Sequence, residues 1–416
     1  MGKIKILVVP SDTIGGVGFY RSTQPHIKLD QMFPEEFEVT IDANPNLHNL
    51  PWYDQFDIVH IHKGVFNDQP AFNILLDYLH HQNIVTVMDI DDNWDLGMHH
   101  PMSGGGRYDK SREEQKKSIL QNLQNFDYVT TTTEIFAEKI AKFNKNVKVI
   151  PNAIDPTDER FITHKKPSNF LRVGVVWGSA HEYDMALLSN IANRLPRDVV
   201  EKIQFVLCGY DLRGNMKVYD ENGKVEERPI KPTESVWYRY EKMLTDDYRI
   251  VSENYKKFLH LFIPNAVFPG VENEHYKRYW TKDMNHYFSH YDDVDVLLAP
   301  IEANEFNRVK SPLKVAECCF SNTAIIASDY GPYTLDLKSI IQKGGVIDPT
   351  GNAMLVDEGK NHKLWAKYVE KLVKEPELVT LLKKNLYDSV HEKYDLRNVT
   401  KDRAEFYKSI VRKKEE

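Results

Sequence analysis

Short apolar runs alternate with longer amphipathic segments along most of this chain of 416 residues. The alternation is typical of a parallel β-sheet wrapped by helices, because strands covered on both faces are apolar throughout. The segments 70–81 and 133–143 are predicted helices, the second with Thr133 as its cap. The predicted strands of the first part are IKILVVP (4–10), FEVTI (37–41), DIVHIH (57–62), NIVTVMDI (83–90), YVTTTT (128–133) and VKVIP (147–151).

The pattern starts again after ITHKKPSN (162–169), a polar, proline-containing linker candidate. Residues 210–250 are polar and rich in tyrosine, and they predict an insertion to which the sequence assigns no role. We therefore expect an α/β chain with two Rossmann-like domains, residues 1–165 and residues 166–395. The predicted strands of the second part are LRVGVVWG (171–178), IQFVLCG (203–209), HLFIPNAVF (260–268), VDVLLAP (294–300), TAIIAS (323–328) and GGVI (344–347).

The composition narrows the classes of function. A net charge of −7 gives no support for general nucleic-acid binding. Three cysteines, two of them adjacent, argue against a disulfide framework and for a reducing compartment. The first ten residues hold too short an apolar run for a signal peptide, and no run of about 18 apolar residues exists to span a membrane. We expect a cytoplasmic protein.

Open α/β sheets bind ligands at the carboxyl ends of their strands, so we expect a central cleft that both parallel sheets face. The segment SDTIGGVGFYR (11–21) directly follows the first predicted strand. Its Gly15, Gly16 and Gly18 allow the backbone to approach a ligand closely, and Arg21 can reach an anion. The alternative is a turn that needs glycine for its own geometry.

Polar side chains also gather where the next predicted strands end. His60 and His62 share one face of DIVHIH, because side chains alternate along a strand. Their spacing fits hydrogen-bonded core histidines as well as ligand-binding ones.

The segment MDIDDNWD (88–95) places four carboxylates within seven residues. Like charges this close raise one another's pKa, which suits proton transfer, or they gather a cation. A loop with helix-capping aspartates is the alternative, but Trp94 beside them can form the wall of a sugar site. The four carboxylates are those of Asp89, Asp91, Asp92 and Asp95.

Two stretches in the second part suit an anion. Gly178 and Ser179 follow a predicted strand and can offer backbone N–H groups to a phosphate. FNRVKSPLKVAE (306–317) predicts a helix start, with Ser311 as cap and Pro312 at the first position. A solvated basic helix start is the alternative. The charged residues around this start are Arg308, Lys310, Lys314 and Glu317.

These segments occur in an order that resembles the GT-B glycosyltransferases, and most of all the retaining nucleotide-sugar transferases of family 4. VIPNAIDP (149–156) is similar to the Pro-Asn-Gly-Val-Asp segment that ends the family's first domain, and residues 306–331 are similar to its donor-binding segment. The resemblance covers nearly the whole chain. It implies that the donor binds the second domain, the acceptor binds the first, and helices in 396–416 pack back on the first domain.

The resemblance also implies roles for single residues. Glu317 would hold the donor ribose. Lys310 or Arg308 would bind the diphosphate, with Lys314 as a further candidate. The donor-binding candidates are then Gly15, Gly16, Gly178, Ser179, Arg308, Lys310, Ser311, Lys314 and Glu317. The acceptor-binding candidates are Arg21, His62 and Trp94.

The chain departs from the family pattern at two positions. Many members carry two glutamates eight positions apart, and Val309 stands where the first would be. Many members end the fourth strand with His-Asp, where this chain has Met88 and Asp89. Some divergent members carry Asp-x-Asp-Asp there, so the catalytic candidates are Asp89, Asp91 and Asp92.

The sequence therefore predicts a hexosyltransferase that moves a sugar from a nucleotide diphosphate sugar to an acceptor hydroxyl, with no metal or other cofactor. The resemblance implies retention of configuration and a setting in bacterial polysaccharide or glycoconjugate synthesis. A glycan or glycolipid acceptor follows from that setting, and a lipid-linked one would bring the enzyme to the inner face of the membrane. The nucleotide base, the sugar, the acceptor and the oligomeric state do not follow from the sequence.

Three alternatives stay open. A metal-dependent transferase would use DID (89–91) as a manganese site, although a second complete α/β half counts against it. A sugar-nucleotide 2-epimerase shares the architecture and needs no acceptor. A non-catalytic nucleotide-sugar binding protein would not need four clustered carboxylates.

Overall fold

The computed structural model describes residues 2–64, 66–96, 110–219, 225–246, 250–264, 266, 268–357 and 362–412. The chain divides into two compact units. The first unit comprises Met1–Glu159, Asn304–Ala316 and Val390–Glu416, and the second comprises Arg160–Ala303 and Glu317–Ser389. Residues 304–316, which the sequence analysis assigned to the second domain, thus belong to the first unit.

Each unit is built on one parallel sheet. The strands are β1 (Ile4–Val9), β2 (Phe37–Ile41), β3 (Ile58–His62), β4 (Val85–Ile90), β5 (Tyr128–Thr131), β6 (Val147–Val149), β7 (Leu171–Val176), β8 (Ile203–Tyr210), β9 (Asn215–Tyr219), β10 (Val225–Pro229), β11 (Tyr276–Trp280), β12 (Val296–Ala299), β13 (Ala324–Ser328) and β14 (Met354–Val356). The first sheet has the order β2-β1-β3-β4-β5-β6, and the second has the order β11-β8-β7-β12-β13-β14. The strands β9 and β10 form a separate antiparallel pair.

The helices are α1 (Gly16–Gly18), α2 (Gln24–Met32), α3 (Gln69–His81), α4 (Lys110–Asn125), α5 (Glu134–Ile140), α6 (Glu182–Ala186), α7 (Arg197–Val200), α8 (Val236–Thr245), α9 (Glu253–Leu259), α10 (Glu305–Arg308), α11 (Leu313–Phe320), α12 (His362–Lys374), α13 (Glu377–Tyr394) and α14 (Leu396–Ile410). Caps explain several of the starts. Asp68 accepts from the backbone N–H of Ala71 at the start of α3, and Thr133 accepts from that of Phe136 at the start of α5. No helix in the described ranges is both long enough and apolar enough to cross a membrane.

Both faces of the first sheet are covered by helices. Leu7 and Val9 of β1 lie in one apolar cluster with residues of α3, α4 and α5. Ile6 and Val8 lie in the other, with residues of α2 and α14. Because neighbouring strand residues face opposite sides, the continuous apolar run of β1 serves both clusters. The predicted fold class, with two Rossmann-like parallel sheets, is confirmed.

Two strand predictions in the second unit were wrong. Residues 260–264 follow α9 without forming a strand, and Leu261 and Ile263 are exposed, while residues 265 and 267 lie outside the described part. Residues 344–347 contribute only an isolated bridge at Ile347, and the edge strand is β14 instead. The strand beside β8 is β11, whose sequence YKRYW has no apolar run to mark it. β11 is partly polar and β14 has only three residues, so an apolar pattern does not find these two edge strands.

Candidate active site

Each sheet reverses its strand order at one point. In the first sheet β2 and β3 lie on opposite sides of β1, and in the second sheet β8 and β12 lie on opposite sides of β7. At such a point the connections leave in opposite directions and open a crevice at the carboxyl ends of the strands, where open α/β sheets bind ligands. The residues that follow β1, β3 and β4 and those that follow β7 and β12 are therefore the candidates.

His62, the last residue of β3, links the ends of three neighbouring strands in the first unit. Its Nδ1 lies 2.6 Å from the hydroxyl of Ser11, which follows β1, and its Nε2 lies 3.1 Å from Oδ1 of Asp91, which follows β4. The ammonium of Lys63 lies 3.5 Å from the same carboxylate oxygen. Burial alone would raise the pKa of Asp91, but Lys63 and His62 hold this pKa below its ordinary value. Asp91 is thus an ionised group that orients the His62 ring.

Asp92 has the opposite environment. Burial and the adjacent Asp91 carboxylate raise the pKa of Asp92, while the ammonium groups of Lys310 and Lys63 oppose that rise. The interaction with Lys310 brings the basic part of the segment 306–317, residues 306–316, to this carboxylate within the first unit. The pKa values of the two neighbouring carboxylates are therefore shifted in opposite directions, a pattern found at acid/base sites.

Asp89 is paired inside the sheet. Its two oxygens accept from Nε and Nη2 of Arg21 at 2.9 and 2.5 Å, and both side chains are fully buried. The Thr130 hydroxyl adds a third hydrogen bond at 2.6 Å. Burial alone would raise the pKa of Asp89, but the Arg21 guanidinium holds this pKa below its ordinary value. This differs from the expectation that Asp89 is catalytic and that Arg21 reaches a bound anion, because the two buried charges compensate each other. Within the DID segment (89–91), both oxygens of Asp89 are thus already hydrogen-bonded to Arg21 and Thr130.

Asp12 holds the glycine-rich turn. Its carboxylate accepts from the backbone N–H groups of Gly15 and Gly18 at 2.5 and 3.0 Å. A Cβ atom on Gly18 would lie 2.0 Å from the backbone oxygen of Asp12, so the chain can pass there only with glycine. Turn geometry therefore accounts for Gly18. Donor binding by Gly15, which is exposed, and by Gly16 stays a prediction.

Trp94 is a core residue. Its ring packs on Phe136 and Phe143, with centroid distances of 5.8 and 5.4 Å, and only 7% of the residue is exposed. The ammonium of Lys139 lies 4.9 Å from the ring centroid. The ring is thus enclosed by its own unit, which differs from the expectation that it forms the wall of a sugar site.

The segment 306–317 contains the end of α10 and the start of α11. The amide of Asn152 donates to the Ser311 hydroxyl at 2.9 Å, and Asn152 also accepts from Arg21, so this segment is tied to the chain that follows β6. Arg308 is largely exposed and pairs with Glu305 at 3.4 Å. Lys310 is half-buried, with its ammonium 5.0 Å from the ring centroid of Phe306. Lys314 is half-buried on the first turn of α11.

Glu317 lies deeper in α11. It is fully buried, and its carboxylate accepts from the hydroxyl of Tyr291 at 2.5 Å and from that of Tyr287. The side chain is thus enclosed by residues of its own unit. The role in ribose binding that the resemblance implied for Glu317 stays a prediction, and in this structure two tyrosine hydroxyls occupy the carboxylate instead.

The loop after β7 lies at the reversal point of the second sheet. Gly178 and Ser179 are exposed there. Asp184 fixes the loop, because its two oxygens accept from the His181 ring and from the backbone N–H of Glu302, each at 2.6 Å. One carboxylate therefore joins the loops that follow β7 and β12.

Sequence reasoning missed several residues of these clusters. Ser11 begins a segment that was singled out and Lys63 directly follows another, and their positions just after β1 and β3 were the signal available. Asp184 and Asn152 act through partners more than 100 residues away, at Glu302 and Ser311, and no local pattern indicates such contacts.

Comparison with known proteins supports the fold. No family model matches the chain, and a search of curated proteins finds no match. Among solved structures, Anabaena Alr3699/HepE in complex with UDP-glucose is similar at a TM-score of 0.55 and 13% identity, covering 98% of this chain and 100% of that one. Its complex with UDP and glucose matches at 0.55 and 12%, with the same coverage. TarM matches at 0.51 and 15% over 89% of this chain and 59% of its own. The chain therefore has the Rossmann-like sheets of GT-B glycosyltransferases.

Proposed function

We propose that the protein is a glycosyltransferase that moves a sugar from a nucleotide diphosphate sugar to an acceptor hydroxyl. The observation that carries the proposal is the end-to-end similarity to Alr3699/HepE, whose structures hold UDP, UDP-glucose or UDP with glucose. The polar clusters at the two reversal points support it, since ligands of open α/β sheets bind there.

In this proposal the protein binds the donor diphosphate without a metal. The leaving diphosphate gains negative charge in the transition state, and fixed positive groups stabilise such charge. In the first unit, Lys310, Lys314 and the exposed Arg308 supply that charge, and the Ser311 hydroxyl supplies a hydrogen bond. In the second unit, the exposed loop at Gly178–Ser179 can offer its own hydrogen bonds to an anion. Glu317 acts only through Tyr287 and Tyr291 in this proposal.

In this proposal the acceptor binds at the reversal point of the first sheet, beside His62, Asp91 and Asp92. Arg21 and Asp89 hold this region together from beneath, through their buried ion pair. The sugar is transferred with retention, and the leaving phosphate takes the acceptor proton. The acceptor is a glycan or a glycolipid of bacterial polysaccharide or glycoconjugate synthesis. A glycolipid acceptor would be reached at the membrane surface.

Thermal melting with nucleotides tests the donor site. UDP, GDP, ADP, CDP and TDP are each added with EDTA and again with manganese. A ligand at about 100 times its Kd stabilises by ~2.7 kcal/mol, which raises the midpoint by several degrees. We expect one diphosphate to produce this shift equally with EDTA, and Lys310→Ala to abolish it. A shift only with manganese contradicts the metal-free site, and no shift with any nucleotide contradicts the function.

A further inference from the structure

The insertion between β8 and the end of α8 has a defined structure, and we call residues 210–246 the arm. The arm consists of the β9–β10 hairpin followed by α8, with residues 220–224 outside the described part. The hairpin pairs Asn215 with Pro229 and Tyr219 with Val225. Ser235 caps α8 by accepting from the backbone N–H of Tyr238. The arm is therefore a folded element of the second unit.

The arm is anchored to the edge of the sheet. The carboxylate of Glu241 on α8 accepts from Arg278 of β11 at 2.7 and 2.8 Å and from the hydroxyl of Tyr276 at 2.7 Å. Both charged side chains are about as buried as core residues, with 5% and 3% exposure. A buried charge pair with this many hydrogen bonds has one arrangement, so α8 is held in a fixed position on the sheet.

An adjacent side of α8 holds the loop that follows β7. The hydroxyl of Tyr240 accepts from the backbone N–H of His181 at 2.9 Å. It lies 3.2 Å from the carbonyl oxygen of Ser179 and 3.4 Å from that of Gly178. Tyr240 is fully buried, and burial raises its pKa above the ordinary value, so the hydroxyl keeps its proton. Arg239 adds a two-point ion pair with Glu182.

These contacts fix the direction of the loop's peptide groups. In a trans peptide the N–H points away from the carbonyl of the same unit. The structure has no cis peptide bond in its described part. Because Tyr240 draws the carbonyls of Gly178 and Ser179 towards the buried side, the N–H groups of Ser179 and Ala180 point to the opposite side, where both residues are exposed.

We propose that the arm sets the conformation of the Gly178–His181 loop, with Tyr240 as the positioning residue, so that the loop binds the diphosphate of a nucleotide sugar. This inference rests on the proposed function, and it gives the insertion its role. Two outward N–H groups in succession form an anion-binding concavity. Tyr240 holds them there without touching the ligand.

Nucleotide binding by matched tyrosine variants tests the inference. Calorimetry with UDP, GDP, ADP, CDP and TDP first finds the nucleotide that the unaltered protein binds. Tyr240→Phe removes one hydroxyl from the loop, and we expect the Kd for that nucleotide to rise about tenfold. Tyr238→Phe removes a hydroxyl from the same helix and should leave the Kd unchanged. Arg239→Ala should raise it about threefold, since its exposed ion pair is a weaker tie.

The kinetic readout separates positioning from general destabilisation. A mispositioned loop weakens donor binding, so Tyr240→Phe should raise the donor KM about tenfold with kcat nearly unchanged. An unchanged Kd in Tyr240→Phe, or an equal rise in Tyr238→Phe, overturns the inference while the proposed function stands. A protein that binds none of the nucleotides contradicts the proposed function itself, and the inference with it.

Discussion

Asp89 and Asp91 lie two positions apart at the end of β4, and their partners give them different tasks. Asp89 is closed off by Arg21 and Thr130, whereas Asp91 faces His62 and Lys63 at the reversal point of the sheet. The spacing alone does not separate the two residues, because both point to the same side of the strand. Their distance from the strand end and the chemistry of their partners decide which can act on a ligand.

Asp91→Asn tests the site of the first unit. The substitution removes the charge that pairs with Lys63 and orients His62, so we expect kcat/KM for transfer to fall about 100-fold, the lower range for a lost acid/base group. Asp95→Asn, at an exposed carboxylate that pairs with Lys116, is the control and should keep near-normal activity. Equal activity of the Asp91 variant and the control would show that Asp91 has no part in transfer.

Arg21→Met tests whether the buried Arg21–Asp89 ion pair stabilises the first unit. Breaking it leaves Asp89 charged and uncompensated inside the sheet, which costs about 3–5 kcal/mol. We expect the melting midpoint to fall on the order of 10 °C. Adding Asp89→Asn to Arg21→Met removes the stranded charge and should restore part of the loss. If the double variant melts below the single one, the two residues do not act as a pair.

The last helix shows how one element is joined to the first sheet. Tyr407 on α14 contacts two buried histidines, with its hydroxyl 2.7 Å from Nε2 of His26 and 2.9 Å from Nδ1 of His60. The same helix fills the apolar cluster that covers Ile6 and Val8 of β1. Helices in 396–416 were expected to pack on the first domain, and α14 does pack on α2 and β1. Residues 413–416 lie outside the described part.

The buried histidines predict a pH dependence of stability. Burial, with Arg403 nearby, lowers the pKa of His26 and His60 well below the ordinary value of about 6.5. Below that value the unfolded chain binds protons that the folded one does not, so stability falls as the pH drops from about 7 towards 5. Melting midpoints between these values measure the slope.

A pair of histidine substitutions locates the source of this slope. His60→Gln removes one of the buried titrating groups and should flatten the decline between pH 7 and 5. His48→Gln, at a histidine that is three-quarters exposed, should leave the slope as it was. An identical slope in the His60 variant would place the titrating groups elsewhere.

The strands predicted from the sequence include the inner strands and the edge strands β2 and β6. Strands β1, β3, β4, β7, β8, β12 and β13 lie inside the sheets, and continuous apolar runs marked each of them. The edge strand β11 escaped prediction because its Arg278 and Lys277 take part in ion pairs that no local pattern shows. The segment 260–268 was wrongly predicted as a strand, because its apolar residues suggested burial whereas Leu261 and Ile263 are exposed.

The chain does not complete one unit before it begins the other, because each unit is built from separate segments of the sequence. It leaves the first unit near residue 159, returns for residues 304–316, and returns again from residue 390. The linker predicted at 162–169 located the point where the chain first passes from the first unit to the second. The return at 304–316 depends on contacts such as Asn93 to the carbonyl of Glu305 at 3.0 Å, between residues more than 200 positions apart. The positions of candidate residues could therefore be predicted, but their partners could not.

We propose that the protein cleaves a nucleotide diphosphate sugar and transfers the sugar. The first experiment is to measure release of nucleoside diphosphate from UDP-, GDP-, ADP-, CDP- and TDP-sugars, with EDTA and a mixture of glycan acceptors. We predict that one nucleotide class is turned over and that Asp91→Asn reduces this turnover about 100-fold. A protein that releases no diphosphate from any donor, with or without manganese, would contradict the account.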